Sequence, residues 1–269
     1  MSLDDAPVLL FKKQKMKKRT FLYFAMLSAV LVSCKQHYEL TAVERSRILI
    51  DKRYDANADA EVQAFMVPYK AEVDKEVAPV VGRSAEYLWA EKPESNLSNL
   101  LTDILVWAGK LYNEQPDFAV YNIGGMRAAF PKGDITKGDV LEVAPFENKI
   151  CFATLTGAKV LELFSQMAAR GGDGVSREVR VVAARGGQVE TATIKGQPVD
   201  PQASYRIATI DYVAQGNDGM VAFKDKTDVV APTENKDNLR FIIEGYLREL
   251  TSQGKEADAK VEGRFIIKD

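Results

Sequence analysis

Residues 140–194 read VLEVAPFENKICFATLTGAKVLELFSQMAARGGDGVSREVRVVAARGGQVETATI, and this stretch decides the fold class. Val140–Val143 and Lys149–Leu155 are short apolar runs that read as two strands. Thr156-Gly157 opens a helix with Val160, Leu161, Phe164 and Met167 directed inward, and Gly171-Gly172 ends it as a glycine C-cap. Val179–Ala183 and Val189–Ile194 then form a hairpin around Gly186-Gly187. These strand pairs are joined by links too short for parallel crossovers, which need about a dozen residues or more. Strands and helices therefore interleave irregularly, which predicts α+β with mixed or antiparallel sheets and not a doubly wound sheet.

Working outward gives more of the same. Upstream, Phe118–Asn122 is a strand running into Gly124-Gly125, and a helix starts near Ser95 or Asn96, either of which suits a cap. Leu97, Leu100, Leu101, Ile104, Leu105 and Ala108 form that helix's apolar face. Val80-Val81-Gly82-Arg83 is strand-like. Asp59–Val77 reads as an amphipathic helix carrying Val62, Phe65, Met66 and Val73 among charges, kinked or divided at Pro68. Downstream, Tyr205–Tyr212 is a strand followed by Gly216-Asn217-Asp218-Gly219. Residues 237–250 form a last helix with Leu239, Ile242, Ile243, Tyr246 and Leu247 inward, and Val261–Ile267 is a closing strand.

Composition limits the chemistry. The 269 residues hold 36 basic and 38 acidic side chains, a net charge of −2, with no electrostatic reason to bind a nucleic acid polymer. The one histidine, His37, rules out a metal site built from several imidazoles of this chain. It lies three residues after Cys34, in a tether, so histidine catalysis is discarded. Cys151 sits in the apolar run Ile150-Cys151-Phe152-Ala153 and reads as a small core residue.

The first residues read as a leader. Lys17, Lys18 and Arg19 precede the apolar run Phe21–Val32, which is about half the length a bilayer-spanning helix needs. The run ends in Leu31-Val32-Ser33-Cys34, which resembles the bacterial lipobox, whose cysteine is lipidated and becomes the mature N-terminus. Residues 1–33 are thus expected to be a leader and lipoprotein signal peptide, with 1–15 extraneous because Met16 opens a signal of ordinary length. Residues 34–45 follow as a tether, 46–79 as a helical lead-in and 80–269 as one domain. The expected location is exported and lipid-anchored to a bacterial membrane through Cys34.

Three loops carry chemical content. Asn122-Ile123-Gly124-Gly125-Met126-Arg127 follows a strand; its glycines suit close approach of a ligand or positive φ, and Arg127 offers a fork to a phosphate or carboxylate. Pro145-Phe146-Glu147-Asn148 sets an aromatic face beside an amide, which suits a nucleobase. Asp211-Tyr212-Val213-Ala214-Gln215-Gly216-Asn217-Asp218-Gly219 places an aromatic and then a carboxylate that can accept both hydrogen bonds of a vicinal diol. Each is also ordinary taken alone: a turn with a surface arginine, a core phenylalanine, an Asn-Asp-Gly turn.

Together, in this order and spacing, the loops resemble the C-terminal, substrate-recognition domain of 5′-nucleotidases and UDP-sugar hydrolases. Glu94-Ser95-Asn96-Leu97-Ser98-Asn99-Leu100, Gly133-Asp134-Ile135, Thr156-Gly157 and Tyr205-Arg206-Ile207-Ala208-Thr209 extend the resemblance over roughly residues 80–269. It implies a layered α/β/β/α sandwich with mixed sheets. It implies substrate-binding residues Asn122, Gly124, Gly125, Arg127, Phe146, Asn148, Tyr212 and Asp218. Phe146 and Tyr212 would stack on a base, Asn148 would reach its edge, Asp218 would bind the ribose, and Asn122 and Arg127 would face the phosphate. Tyr212 stands in place of the usual phenylalanine, and Pro93, with Lys92 beside it, stands where the family often has a phosphate-binding arginine. Asp211 and Asn217 stand where asparagine and glycine are common.

Full-length members of that family carry an N-terminal metallophosphoesterase domain with Asp-x-His and Gly-Asn-His-Glu motifs, neither of which occurs here. The expected reading is a recognition subunit of a split phosphohydrolase with no catalytic residues, metal or cofactor in this chain. Divalent metals such as Zn or Mn would belong to a separate metallophosphoesterase chain. The alternative is a stand-alone nucleotide- or nucleoside-binding lipoprotein.

Overall fold

The structure is a computed structural model that describes residues 39–49, 51–53 and 59–268. The leader, Cys34 and His37 lie outside the described residues. The chain divides into two units, Met1–Ala58 and Asp59–Asp269. In the first, residues 39–49 form no helix or strand and their side chains are exposed.

The second unit opens with helix α1 (Ala60–Val77) and strand β1 (Val80–Ser84). Helix α2 (Asn96–Ala108) and strands β2 (Phe118–Tyr121) and β3 (Gly133–Thr136) follow. Next come α3 (Lys137–Val143), β4 (Ile150–Thr156), α4 (Gly157–Ala169), β5 (Gly174–Val175), β6 (Val179–Ala184), β7 (Val189–Ile194) and β8 (Gln197–Pro198). The chain continues through β9 (Ser204–Ile210), the short helical turn α5 (Asp211–Ala214), β10 (Thr227–Val230), α6 (Leu239–Ser252) and β11 (Phe265–Lys268).

Three sheets form: β1-β3, β10-β4-β9-β2-β5 and β11-β6-β7-β8. In the five-stranded sheet β4 runs antiparallel to β9, from Ile150 opposite Ile210 to Thr156 opposite Ser204, while β2 runs parallel to β9. In the four-stranded sheet β6 and β7 are the expected antiparallel hairpin and β11 lies parallel to β6. The fold is mixed α/β with mixed sheets, as the irregular interleaving predicts. Ile150, Cys151, Phe152 and Ala153 of β4 are all buried, so this central strand reads as a continuous apolar run. β6 instead alternates, burying Val179, Val181 and Ala183 on one face. Helix α2 covers β2 and β5, α6 packs on α2 and β1, and α4 contacts strands of both larger sheets. Ser95 caps α2, its Oγ accepting the Ser98 N–H at 3.2 Å.

Several expectations are corrected. Val140–Val143 is the end of a helix, not a strand. Thr136 and Asp139 form a capping box, and only Val140 and Val143 are buried, a spacing that belongs to a helix turn. Such a short apolar run holds too few residues to tell the two periods apart. The strand expected to reach Tyr212 stops at Ile210, and Tyr212 lies in the α5 turn. Pro68 neither divides nor ends α1. The apolar residues of α1 cover no core, because none of its side chains is buried. The closing strand begins at Phe265 rather than Val261, and β10, fully exposed and without apolar alternation, was not foreseen.

Candidate ligand-binding site

Three chain segments leaving the five-stranded sheet converge on one cavity of about 330 Å³. All the expected substrate-binding residues except Arg127 line it.

The first segment leaves β2. Asn122 follows the buried Tyr121 and enters a 3-10 turn at Ile123–Gly125. Neither Gly124 nor Gly125 has positive φ, so positive φ is not the reason for glycine at either position. A Cβ on Gly125 would fall 3.0 Å from Asn122 Oδ1 and 3.1 Å from the Tyr121 hydroxyl. On Gly124 it would meet only Asp218 Oδ2, at 3.9 Å, across the cavity. Arg127 sits outside. Its backbone N–H donates to Val143 O at 3.0 Å, and its guanidinium donates to Gly124 O at 3.3 Å, buttressing the turn from behind.

The second segment enters β4. Asn148 O accepts the Leu239 N–H of α6 at 2.9 Å, which anchors the loop. Phe146 remains 47% exposed. Among the described residues, neither Phe146 nor Tyr212 packs against another aromatic ring.

The third segment leaves β9. Asn217 donates to Tyr212 O at 2.9 Å, folding the loop back on α5. Gly216 and Gly219, at φ 84° and 71°, flank Asp218, which itself adopts φ 52°. Asn and Asp tolerate this left-handed region better than most residues. The Asp218 carboxylate accepts from Asn122 Nδ2 at 2.7 Å on Oδ2 and from the Tyr212 hydroxyl at 3.2 Å on Oδ1. The negative charge of Asp218 raises the Tyr212 phenol above its ordinary pKa, in keeping with a hydroxyl that donates to that carboxylate.

Sequence reasoning missed two residues. Arg170, the C-cap of α4, lines the cavity with its Nη2 3.6 Å from Asp218 Oδ2. Asp173 lies fully buried behind it, and burial raises its carboxyl pKa against the opposing pull of Lys92 and Arg170. A cation and an acid flanking Gly171-Gly172 were the available signal, and the glycines were read only as a helix stop.

The polar side chains lining the cavity are the Asp218 carboxylate, the Asn122 and Asn148 amides, the Tyr212 phenol and the Arg170 guanidinium. A divalent cation is held by several oxygen or nitrogen ligands, and the one carboxylate here already accepts from Asn122 and Tyr212 and faces Arg170, a set that does not fit a metal. Cys151 is a buried free thiol whose pKa is pushed up to about 11 by burial, the condition of an inert core cysteine.

Protein UshA of Escherichia coli K12 is 35% identical over 129 residues, covering 47% of this chain and 24% of that protein. Protein UshA of Yersinia enterocolitica is 34% identical over 169 residues, covering 60% and 30%. The crystal structure of a 5′-nucleotidase precursor from Thermus thermophilus superposes with a TM-score of 0.63 at 28% identity, covering 77% of this chain and 42% of that one. The chain thus spans between 24% and 30% of the length of these two curated relatives. Residues 76–225 match the description of the 5′-nucleotidase C-terminal domain, and the chain belongs to that family.

Proposed function

We propose that this chain is the nucleotide- or nucleoside-recognition subunit of a 5′-nucleotidase-type phosphohydrolase, with the dimetal centre supplied by a separate metallophosphoesterase chain. The cavity is the observation that carries the reading. Phe146 and Tyr212 are exposed rings without ring partners, and a planar base between them would gain roughly 1–3 kcal/mol per stacked face. The Asn148 side chain makes no hydrogen bond among the described residues and lies on the same wall, free for the edge of a base. Asp218, already oriented by Asn122 and Tyr212, would accept the two ribose hydroxyls. Nothing in this arrangement activates water, so the chain's own part is to bind and orient, while phosphoryl chemistry falls to the partner. The leader and Cys34 would carry the subunit out of the cytoplasm and tether it to a membrane.

The test is calorimetry of the chain with adenosine and AMP. AMP hydrolysis is then measured with the chain, with a metal-loaded metallophosphoesterase lacking this domain, and with both. The expected result is binding by the chain and hydrolysis that rises only in the mixture. Binding with no effect on any phosphoesterase would favour a stand-alone binding lipoprotein. No binding by the chain or by the pair would overturn both readings.

A further inference from the structure

Two groups approach Asp218 Oδ2, and both lead back to one buried carboxylate. Asn122 Nδ2 is 2.7 Å away and Arg170 Nη2 is 3.6 Å away. Asp173 Oδ1 accepts the Ile123 N–H at 2.9 Å and so fixes the turn that holds Asn122. Asp173 Oδ2 accepts no hydrogen bond but faces two cations, Arg170 Nε at 3.7 Å and Lys92 Nζ at 3.5 Å. Lys92 Nζ also donates to Arg170 O at 3.0 Å, which pins the backbone from which the guanidinium extends. The stem of Arg170 crosses Gly219, where a Cβ would fall 3.3 Å from Arg170 Cδ, so the Asp218 turn is shaped to admit it. A buried carboxylate is held as an anion by nearby cations, and here one of the two is a residue of the cavity wall.

We propose that Arg170, oriented by Asp173, is a positioning residue for Asp218 that makes the cavity selective for ligands with a free vicinal pair of hydroxyls. This rests on the nucleoside reading above. A carboxylate that accepts two hydroxyls at once must present both oxygens in a fixed plane. Tyr212 restrains Oδ1, while Asn122 and Arg170 restrain Oδ2. Without the guanidinium, Asp218 keeps one hydrogen bond on each oxygen but loses the charge that holds its plane. The stacking faces of Phe146 and Tyr212 do not depend on it.

The full chain is titrated with adenosine and with 2′,3′-dideoxyadenosine, which keeps the base and lacks the diol. The unaltered protein is expected to favour adenosine by roughly tenfold or more, the scale of hydrogen bonds to a charged group. Arg170→Met should remove most of that preference by weakening adenosine alone, with dideoxyadenosine changed by less than about twofold, and Arg170→Lys should restore part of it. Equal loss for both ligands would mark a merely structural arginine and overturn the proposal. So would a diol preference that survives Arg170→Met. No adenosine binding by the unaltered chain would overturn this proposal together with the reading on which it rests.

Discussion

Phe146 and Tyr212 keep 47% and 39% of their surfaces exposed in a chain that buries Phe118, Phe130, Phe152, Phe164, Phe223 and Phe265 completely. Two uncovered rings flanking a cavity forgo the burial given to those six phenylalanines, although Phe65 and Phe241 are exposed as well. In the nucleoside reading proposed above, their value lies in what they cover on binding. Phe146→Ala is expected to weaken adenosine binding by roughly 5- to 150-fold, one lost stacking face. The same change should leave the melting temperature within about 2 °C, because the ring contributes nothing to the core. Asp173 behaves oppositely. Its folded-state pKa is raised, chiefly by burial, so in the window from about pH 4 up to that raised value the folded chain holds a proton that the unfolded chain has lost. Stability from this group therefore falls as pH rises through the window. Melting curves of Asp173→Asn and the unaltered chain from pH 4 to 7 should show the difference moving toward the variant with rising pH, and a flat difference would refute the assignment. At this scale the cavity-lining residues Phe146, Asn148, Tyr212 and Asp218 were legible because each sits in a loop with its own local pattern. Arg170 and Asp173 were not, because their meaning comes from Asp218 and Ile123, which are distant in sequence.

Among the elements, the glycine pair after α4 was recognised as a stop, but its second glycine does more than end a helix. Gly172 adopts φ +95°, and a Cβ there would fall 2.6 Å from Pro93 Cα and Cβ and 2.7 Å from Pro93 O. Gly172→Ala therefore meets both a backbone penalty and a clash against main chain. The expected cost is about 2–5 kcal/mol, or roughly 5–15 °C in melting temperature. Gly133→Ala is the comparison: its φ is +98°, but a Cβ there meets nothing within 4 Å, so only the backbone penalty of about 1–2 kcal/mol applies. Similar losses at the two sites would show that the Pro93 contact yields. The elements that could be read from sequence were those with a cap and a full period. α2 has Ser95, α4 has Thr156 and Gly171, and the β6–β7 hairpin has Gly186 and Gly187. Those that could not be read were too short to show a period, as α3 was, or had no apolar pattern at all, as in β10. The three site loops each begin or end on a strand of the same sheet, but the strand reading did not give that sheet; their order and spacing along the chain, matched to the family, grouped them.

At the scale of the molecule, α1 stands apart from the core that it precedes. It buries no side chain, and only its last residue, Val77, is half-buried, 3.4 Å from where a Gly138 Cβ would lie. Val62, Phe65, Met66 and Tyr69 are exposed, with Phe65 and Tyr69 touching each other at 5.3 Å between ring centres. Its internal ion pairs, Lys70 with Asp74 at 2.7 Å and Lys75 with Glu72 at 3.9 Å, are solvent-exposed and worth little. The family match begins at residue 76, where α1 is ending. The Lys137 N–H bond to Pro79 O at 3.0 Å, which ties β1 to the start of α3, lies beyond that point. A chain beginning at Glu76 should therefore keep the fold and the cavity. Its melting temperature should fall by no more than about 2 °C, the scale of a surface change in a domain of this size. Its affinity for adenosine should match that of the longer chain, and far-ultraviolet circular dichroism should lose one helix's worth of signal. An isolated helix of this length is marginal in water, so the helix signal should also melt below the main transition in the longer chain. A single shared transition, or a fall of more than about 5 °C on truncation, would mean that α1 is held by the domain and that its apolar residues stabilise it.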